Sequence, residues 1–381
     1  MELVGKSKEE LRAFCVALNE PAYRGAQIYH ALYAERKFAV AQITNLPAAL
    51  RERLAKEASV TLPEVMQRFA SADGSVRYLF GLGVVPGEQR EFSTESTEDT
   101  EKNGGERRSR LPRPASVEAV FMPGKERQTI CVSTQAGCAV DCHFCLTAQL
   151  GLIRNLTAGE VLAQVLLPLE EHKAQLAPQT NIVLMGQGEP LLNFDAVMAA
   201  VRVMLDPEGL GISPKHTTLS TSGIVPGIER LAHENVRPKL AISLNASNDE
   251  QRDALMPINK KYPLAVLMNA CKDYPLRTWE HLTFEYVMLG GINDGAEDAR
   301  RVVRLLAPLK SVKVNLIPWN PGELPYRESP PERIEEFRRI LVDRGVPAFV
   351  RYSRGRDVMA ACGQLALLQI DRAPLSVVSP Q

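Results

Sequence analysis

The stretch Cys138-Ala139-Val140-Asp141-Cys142-His143-Phe144-Cys145 follows the apolar run Ile130-Cys131-Val132 and carries three cysteines in a C-x-x-x-C-x-x-C pattern. Three thiolates on one short loop can bind three irons of a cubane iron–sulfur cluster. Because no fourth cysteine stands at a useful spacing, one iron is expected to stay open to a ligand that is not protein. Structural zinc commonly has four ligands. His143 is the nearest further candidate, but it stands between two of the cysteines, where its ring could hardly reach the same metal.

Length, composition and charge bound the class of protein. With 381 residues, 45% of them hydrophobic, the chain can bury one large domain and a smaller one. Its 45 basic and 45 acidic residues balance, so the overall charge does not indicate a nucleic-acid partner. The first residues lack the pattern of a signal peptide, and no apolar run reaches membrane-spanning length. The chain has seven cysteines, an odd number, and the clustering of some of them predicts metal and redox chemistry in the cytoplasm rather than a secreted disulfide framework.

The chain begins with helical patterns and continues with a hairpin. We predict a small helical accessory domain over residues 1–70, where Ser7-Lys8-Glu9-Glu10 fits a capping box. Residues 71–125 are predicted to form a β-hairpin linker. Within it, residues 86–114 almost lack apolar side chains and predict a disordered insert, because they cannot bury enough surface to offset their ordering entropy. The strands of the hairpin are expected at Val76–Phe80 and Val117–Met122.

From residue 126 to residue 350 the chain alternates between strand-like and helical patterns. Six such units predict an α/β fold with a parallel sheet, curved into a partial (β/α)6 barrel or left open. In either arrangement the reactive residues are expected beyond the carboxyl ends of the strands. A last strand is expected at Ala348–Tyr352, where a C-terminal segment, residues 351–381, begins; this segment contains Cys362. The six strands are expected at Ile130–Val132, Ile182–Met185, Thr217–Ser220, Leu240–Leu244, Phe284–Met288 and Val312–Ile317.

A second motif, Met185-Gly186-Gln187-Gly188-Glu189-Pro190, stands at the end of the second of these strands. Glycines there let the backbone approach a ligand closely, and Glu189 can accept a hydrogen bond from an ammonium group. By itself the motif is weak evidence for a ligand site, because an ordinary turn between a strand and a helix has a similar composition. Together with the cysteine pattern, it resembles the radical S-adenosylmethionine (radical SAM) superfamily.

This resemblance implies two cofactors, a 4Fe–4S cluster and SAM, whose methionine amine and carboxylate chelate the open iron. The implied cluster ligands are Cys138, Cys142 and Cys145. The implied SAM contacts in these two motifs are Gly188 and Glu189 beside the amine and Phe144 against the adenine.

Further stretches resemble the RlmN/Cfr family of radical SAM methyltransferases, which methylate adenine in ribosomal RNA and, in the RlmN branch, in transfer RNA as well. The match runs from about residue 117 to residue 365 and extends more loosely over Pro21–Ile28. It implies methylation of carbon-2 of adenine in 23S rRNA and in tRNA near the anticodon, a cellular one-electron reductant and a monomeric enzyme. The stretches that carry the resemblance are Cys131–Cys138, Leu219–Gly223, Ala241–Asn245, Asn315–Pro321 and Ala360–Leu365.

The reaction of this family needs two further cysteines. Carbon-2 of adenine is electron-poor and does not attack a methyl cation, so SAM cannot methylate it directly. The resemblance implies that one SAM methylates Cys362 and that a radical made from a second SAM activates this methyl group for addition to the base. Cys131 then helps to remove the ring proton and attacks the sulfur of Cys362, leaving a transient disulfide that must be re-reduced. Glu118 matches a family glutamate proposed as proton acceptor. Without the resemblance, the two cysteines are interpreted as core thiols and Glu118 as a solvent-side strand residue.

The resemblance also implies a reactive Cys362 and further SAM contacts. A thiolate is the reactive form, so we expect a lowered pKa for Cys362, with Arg351, Arg354 and Arg356 as nearby cations. The remaining SAM contacts are expected at strand ends, where the alternative role of each residue is to cap a helix or turn. They are Ser220, Ser243, Leu244, Asn245 and Asn320, and Met185, which is almost equally well explained as a core residue, is expected to line the same pocket.

Several positions depart from the family pattern, and other functions stay open. The departures are Ala31, Asn245, Pro321-Gly322-Glu323-Leu324 and the insert at 86–114. The nearest alternative function is methylation at carbon-8 of the same base, and a more distant one is a radical SAM enzyme with another substrate. A non-catalytic iron- or zinc-binding RNA adaptor would explain the cysteine pattern, but not the glycine-rich motif and two reactive thiols. RNA contacts are expected at the N-terminal helices, Lys260-Lys261 and residues 351–356.

Overall fold

Ten strands form the sheet that organises the protein. The structure, a computed structural model, describes residues 1–83, 115–322 and 324–365, so the predicted insert at 86–114 lies outside the described residues. The strands in the described residues are β1 Glu64–Ala70, β2 Val76–Gly81, β3 Ser116–Met122, β4 Arg127–Val132, β5 Gln135–Gly137, β6 Leu152–Asn155, β7 Gln179–Leu184, β8 Thr217–Thr221, β9 Lys239–Ser243, β10 Leu282–Met288, β11 Val312–Pro318 and β12 Ala348–Val350. Strands β5 and β6 form a separate two-stranded sheet, and the other ten form the large one.

Seven strands of the large sheet are parallel and lie in their order along the chain, β4-β7-β8-β9-β10-β11-β12. They correspond to the six strands expected from the alternating pattern and to the last strand expected near residue 348. The predicted α/β class with a partial barrel is therefore confirmed. Within strand β9, Leu240, Ala241 and Ile242 are all buried. Consecutive buried residues are typical of parallel strands that are covered on both faces.

An antiparallel extension widens the sheet on the side of β4. Strand β2 pairs with β3, as expected for the two strands of the hairpin, and β3 also pairs with β4. Strand β1 pairs with β2 and was not predicted, because its residues were assigned to the end of the helical region. Only alternate side chains of β1 are even half-buried, and its register shifts between Val65 and Gln67. A half-buried strand with such an irregularity has a weak alternating pattern.

Three of the described α-helices lie in the N-terminal region, and the first of them has the predicted capping box. The Ser7 side chain accepts from the backbone of Glu10, and the Glu10 side chain accepts from the backbone of Ser7. This pairing satisfies two amide groups that the helix itself leaves free. The helices are α1 Lys8–Ala17, α2 Tyr23–Tyr33, α3 Ala48–Glu57, α4 Ala158–Glu171, α5 Phe194–Leu205, α6 Val225–Ala232, α7 Asp249–Leu255, α8 Leu264–Asp273, α9 Ala296–Leu306 and α10 Pro331–Asp343. None of these described helices is long and apolar enough to cross a membrane.

The N-terminal helices pack on the barrel through apolar and polar contacts. Residues of α1 to α3 belong to the same hydrophobic cluster as residues of α4, α5 and the barrel strands. The Tyr29 hydroxyl donates to the Asp206 carboxylate at 2.9 Å, and Arg36 pairs with Glu170 at 3.1 Å. The helical region therefore shares its core with the barrel and lies against α4 and the end of α5.

We predict that Gly25→Ala destabilises the N-terminal helices. A Cβ at Gly25 would overlap the backbone of Leu11 and Arg12, so helices α1 and α2 cross at a distance that only glycine permits. Overpacking of this kind costs about 1–3 kcal/mol. The measurement is the urea midpoint of the purified variant. Gly83→Ala is the control, because a Cβ there meets nothing within 4 Å. Equal midpoints for the two variants would show that the close crossing does not matter for stability.

Candidate functional site

The three-cysteine loop lies at the carboxyl end of strand β4, between the short strands β5 and β6. These strands pair in antiparallel fashion and close the base of the loop. The backbone amide of Cys138 donates to the Gly151 carbonyl at 3.0 Å. Gly137 has a φ of +72°, and a Cβ on it would overlap the Gly151 carbonyl oxygen. The sequence did not predict this small sheet, because three- and four-residue strands carry too little pattern.

The thiols of the loop lie close enough to influence one another's protonation. Burial raises the pKa of Cys142 well above its ordinary value, and the thiolates of Cys145 and Cys138 raise it further. Burial also raises the pKa of Cys138 to about 12. Such thiols need a compensating positive charge to ionise, and iron supplies one when it binds. The donor set therefore fits an iron–sulfur cluster held by three thiolates.

His143 does not join this set. Its Nδ1 lies 2.7 Å from the Ala254 carbonyl oxygen, and its backbone amide donates to the Leu255 carbonyl at 3.0 Å. Among the described residues, no group of three or more His, Cys, Asp or Glu side chains is arranged around a single metal ion. A cubane cluster differs from a mononuclear site in this respect, since each thiolate binds a different iron.

The glycine-rich turn after β7 lies against the segment that leads into the cysteine loop. Gly188 has a φ of +95°, and a Cβ there would lie 2.5 Å from the Gln135 Cβ. The Glu189 carboxylate accepts from the backbone amide of Leu191 at 3.1 Å, and from the amide and hydroxyl of Ser222 at 2.7 Å and 2.8 Å. Glu189 is buried, and burial raises its pKa. The carboxylate thus joins the ends of β7 and β8, and its contact with SAM stays a prediction.

The loop that carries Cys362 rests on the residues that follow the third cysteine. The Leu146 amide donates to the Gly363 carbonyl at 2.9 Å, and the Thr147 hydroxyl donates to the Leu365 carbonyl at 2.5 Å. Cys362 itself is exposed, and it lines a small pocket. The other residues of this pocket include Phe144, Leu146, Trp319 and Asn320. The fold therefore brings Cys362 beside the cysteine loop, more than two hundred positions earlier in the sequence.

Cys131 lies on the same side, beneath the Cys362 loop. It is buried on β4 and packs in one hydrophobic cluster with Val120, Ala360 and Leu365. Burial raises the pKa of Cys131, and the thiolate of Cys362 raises it further. The two thiols are therefore neighbours, and both are free in this structure.

The prediction of a lowered Cys362 pKa is wrong when only the protein's own atoms and charges act on the thiol. Protein atoms crowded around the thiol raise its pKa to about 11, and the charges of Glu285 and Cys145 add to the rise. The three arginines expected to lower it have other partners. These are Asn315 for Arg351, Asp73 for Arg354 and Glu328 for Arg356.

Glu118 is a buried residue of β3, so its interpretation as a solvent-side residue is wrong. Only 1% of it is exposed, and its carboxylate pairs with the buried guanidinium of Arg77 at 2.6 Å. Gln187 connects it to the Cys362 loop. The Gln187 amide nitrogen lies 3.5 Å from the second carboxylate oxygen of Glu118 and donates to the Leu365 carbonyl at 3.3 Å.

The remaining predicted SAM contacts all lie at or just beyond carboxyl ends of barrel strands. The hydroxyls of Ser220 and Ser243 are 3.3 Å apart on neighbouring strands. The Leu244 amide donates to the Glu285 carbonyl at 2.9 Å, and the Asn245 side chain accepts from the Val287 amide at 2.9 Å. The side-chain amide of Asn320 donates to the Ser353 hydroxyl at 2.9 Å. Asn245 thus binds the backbone of strand β10 and does not show the expected cap of a helix or turn through this contact, while its role toward SAM stays a prediction.

Other residues of the site were not found from the sequence. Thr147 and Gln187 anchor the Cys362 loop, and Arg77 pairs with Glu118. Arg252 is buried beside the cysteine loop. Each is a polar residue without a distinctive motif of its own, although Gln187 lies inside the glycine-rich stretch after β7.

Comparisons with known proteins agree with this geometry. Residues 132–306 match the family model for the radical SAM superfamily, and residues 1–60 match the ribosomal RNA large subunit methyltransferase N-terminal domain. The chain is 48% identical to a probable dual-specificity RNA methyltransferase RlmN of Koribacter versatilis, an alignment that covers 91% of this chain and 96% of the relative. The chain belongs to the RlmN family of radical SAM RNA methyltransferases.

Two further relatives give the same result. The RlmN of Anaeromyxobacter dehalogenans is 42% identical over 94% of this chain and 90% of its own length. A crystal structure of a radical SAM methyltransferase from Sphaerobacter thermophilus superposes with a TM-score of 0.82, at 39% identity, over 96% of this chain and 99% of that one. Membership of the RlmN family makes the protein an enzyme that uses a 4Fe–4S cluster and SAM.

We predict that replacing any one of Cys138, Cys142 and Cys145 by Ala prevents stable cluster binding. Two thiolates cannot hold the three irons that the loop is built to bind. Anaerobic reconstitution should give about four irons per chain for the unsubstituted protein and well under half of that for each variant. Cys15→Ala is the matched control, since Cys15 is buried in helix α1. A Cys142→Ala protein that retained its iron and still cleaved SAM reductively would refute the assignment.

Proposed function

We propose that this protein methylates carbon-2 of adenine in 23S rRNA and in tRNA near the anticodon. The RlmN relatives are named dual-specificity RNA methyltransferases, which supports an RNA substrate of more than one kind. The match of residues 1–60 to the N-terminal domain of a ribosomal RNA methyltransferase supports RNA contact by the helical region. We also propose that the enzyme works as a cytoplasmic monomer and takes its electrons from a cellular one-electron reductant.

The observation that carries the proposal is the position of Cys362 between the cysteine loop and Cys131. Its loop bonds to Leu146 and Thr147, directly after the third cluster cysteine, and packs on Cys131. A methyl carrier must reach both the site where its methyl group is received and the thiol that later releases it. Cys362 is also exposed, so its thiol can be reached from solvent.

Each thiol and the buried carboxylate have a separate task in this proposal. When bound, the cluster and SAM supply the methyl group and the radical that activates it. Cys362 carries the methyl carbon to carbon-2 of the base as a thioether. Glu118, with Cys131, takes up the ring proton. Addition of the activated carbon to the base leaves one unpaired electron, which the bound cluster would take up. The thiolate of Cys131 then attacks the sulfur of Cys362 and breaks the bond between that sulfur and the transferred carbon. The bonding electron pair stays with the carbon, a proton completes the methyl group, and a Cys131–Cys362 disulfide remains. Two electrons from the cellular reductant then restore the two thiols.

The position of Glu118 supports its assignment as the proton acceptor. One end of its carboxylate pairs with the guanidinium of Arg77, which is only 3% exposed. The opposite end of the carboxylate faces Gln187, which contacts the Cys362 loop. The acceptor is thus held within the same network as the carrier of the methyl group.

We predict that Cys131→Ala and Cys362→Ala differ in kind. Cys362→Ala has no sulfur to receive a methyl group, so the protein should stay unmethylated and RNA should be neither modified nor trapped. Cys131→Ala should still receive the methyl group and then stall with RNA covalently bound through Cys362, because no thiol resolves the adduct. Denaturing gel electrophoresis after turnover with labelled RNA distinguishes the two. Ordinary turnover by Cys131→Ala, or RNA methylation by Cys362→Ala, would contradict the two-thiol scheme.

We predict that the product base carries its new methyl group at carbon-2. Digestion of RNA after turnover, followed by chromatography and mass spectrometry against both methyladenosine standards, measures the position. Cys362→Ala protein gives the background. A methyl group at carbon-8 would show that the protein has the related carbon-8 activity instead, and it would leave the roles of the two thiols unchanged.

A further inference from the structure

Arg252, in the middle of helix α7, is the largest fully buried side chain of the described residues. All four of its hydrogen bonds go to neutral oxygen atoms. Nε donates to the Leu244 carbonyl at 3.2 Å and Nη1 to the Asn259 side-chain oxygen at 2.9 Å. Nη2 donates to the carbonyls of Ser222 at 2.7 Å and Ser243 at 3.2 Å. Acidic side chains of the same helix stabilise the charge of the guanidinium, but only from beyond hydrogen-bond distance. A buried guanidinium that hydrogen-bonds to no carboxylate is expensive, so a role beyond packing is expected.

Its bonds join the ends of two barrel strands to one helix. Ser222 follows β8, and Ser243 ends β9. Ser222 is also the residue whose amide and hydroxyl bind the Glu189 carboxylate. Arg252 therefore fixes helix α7 relative to the glycine-rich turn, through a single shared residue.

Helix α7 in turn supports the cysteine loop. The carbonyls of its last residues, Ala254 and Leu255, lie 2.7 Å from the ring Nδ1 and 3.0 Å from the backbone amide nitrogen of His143. Cys142 packs against the hydrophobic cluster that contains Leu255 and Met256. Any shift of α7 would therefore move the middle of the cysteine loop, where Cys142 and His143 lie.

The charge of Arg252 lies in the helix that contacts the middle of the cysteine loop, two residues before Ala254, whose carbonyl contacts His143. An arginine side chain keeps its positive charge inside proteins. Burial lowers the pKa of Arg252, and the charge of Cys142 acts against this lowering. A 4Fe–4S cluster with three thiolates is negatively charged, and its charge grows on reduction. Nearby positive charge favours the reduced form, because net charge is one determinant of cluster potential.

We propose that Arg252 is a positioning residue of the iron–sulfur site: it holds helix α7 under the cysteine loop and supplies a fixed positive charge that makes the cluster easier to reduce. The proposal rests on the cluster of the RlmN family and not on which atom of the RNA base is methylated. It assigns to a buried residue two measurable properties, the retention of iron and the midpoint potential.

The experiment compares the reconstituted wild-type protein with Arg252→Met, Arg252→Lys and Arg237→Met. Arg237 is the matched control, since it is also buried and binds Tyr274 and the Pro275 carbonyl, but lies before the amino end of β9, at the opposite end of the barrel. The readouts are the rate of iron loss to a chelator and the midpoint potential from a redox titration followed by electron paramagnetic resonance. Neither readout requires RNA or turnover.

In Arg252→Met we expect iron loss to be roughly tenfold faster, as is usual when a supporting contact of a metal site is removed, and a midpoint potential more negative than that of the wild type. Arg252→Lys should keep a potential near the wild-type value. It should still lose iron faster, because one ammonium cannot reach four acceptors. Arg237→Met should match the wild type in both properties.

Wild-type iron retention together with a wild-type potential in Arg252→Met would overturn the proposal. If Arg252→Met does not fold, the test relies on Arg252→Lys. Wild-type iron retention in Arg252→Lys would then overturn the proposal. If Arg237→Met lost iron as fast as Arg252→Met and showed the same shift of midpoint potential, the effect would be a general result of removing a buried arginine. That outcome would overturn the proposal too. A wild-type protein that bound no cluster would instead refute the family cofactor itself.

Discussion

Two hydrogen bonds hold the Cys362 loop on the segment that follows the cysteine loop: Leu146 to the Gly363 carbonyl and Thr147 to the Leu365 carbonyl. The rest of the site depends on this contact. It brings an exposed thiol from the end of the described chain to the carboxyl end of the first parallel strand. Loops generally lie on the surface, where water can satisfy their backbone groups. Both loops therefore meet at the mouth of the barrel, where a large substrate can approach.

The same edge of the sheet joins the separate parts into one unit. Gln187 contacts both Glu118 and the Cys362 loop, while Glu189, two residues later, binds Ser222. Ser222 in turn accepts from Arg252, whose helix supports the middle of the cysteine loop. Polar contacts, joined by short stretches of backbone, therefore link Glu118 through the glycine-rich turn to helix α7 and the cysteine loop. Buried polar contacts of this kind favour one arrangement of the groups that they join.

Much of the fold and part of the site were predictable from the sequence, for physical reasons. The barrel strands carry continuous apolar runs, and the cysteines stand at a spacing that few other sites use. Strand β1 and the β5–β6 pair were missed because they are short or half-buried. The roles of Arg77 and Arg252 were not visible either, since burial of a charge depends on tertiary neighbours and not on local pattern. The pKa of Cys362 was predicted in the wrong direction, because arginines close in sequence have carboxylate or amide partners elsewhere.

The central claim is that the fold makes Cys131 and Cys362 neighbours at the mouth of the barrel. Peptide mapping by mass spectrometry tests it directly, after mild oxidation of the iron-loaded protein, in which the loop cysteines are occupied. The packing of Cys131 against Ala360 and Leu365 predicts a disulfide between Cys131 and Cys362 as the main cross-link. Its absence, or a cross-link from Cys362 to Cys15 or Cys271 instead, would contradict the account.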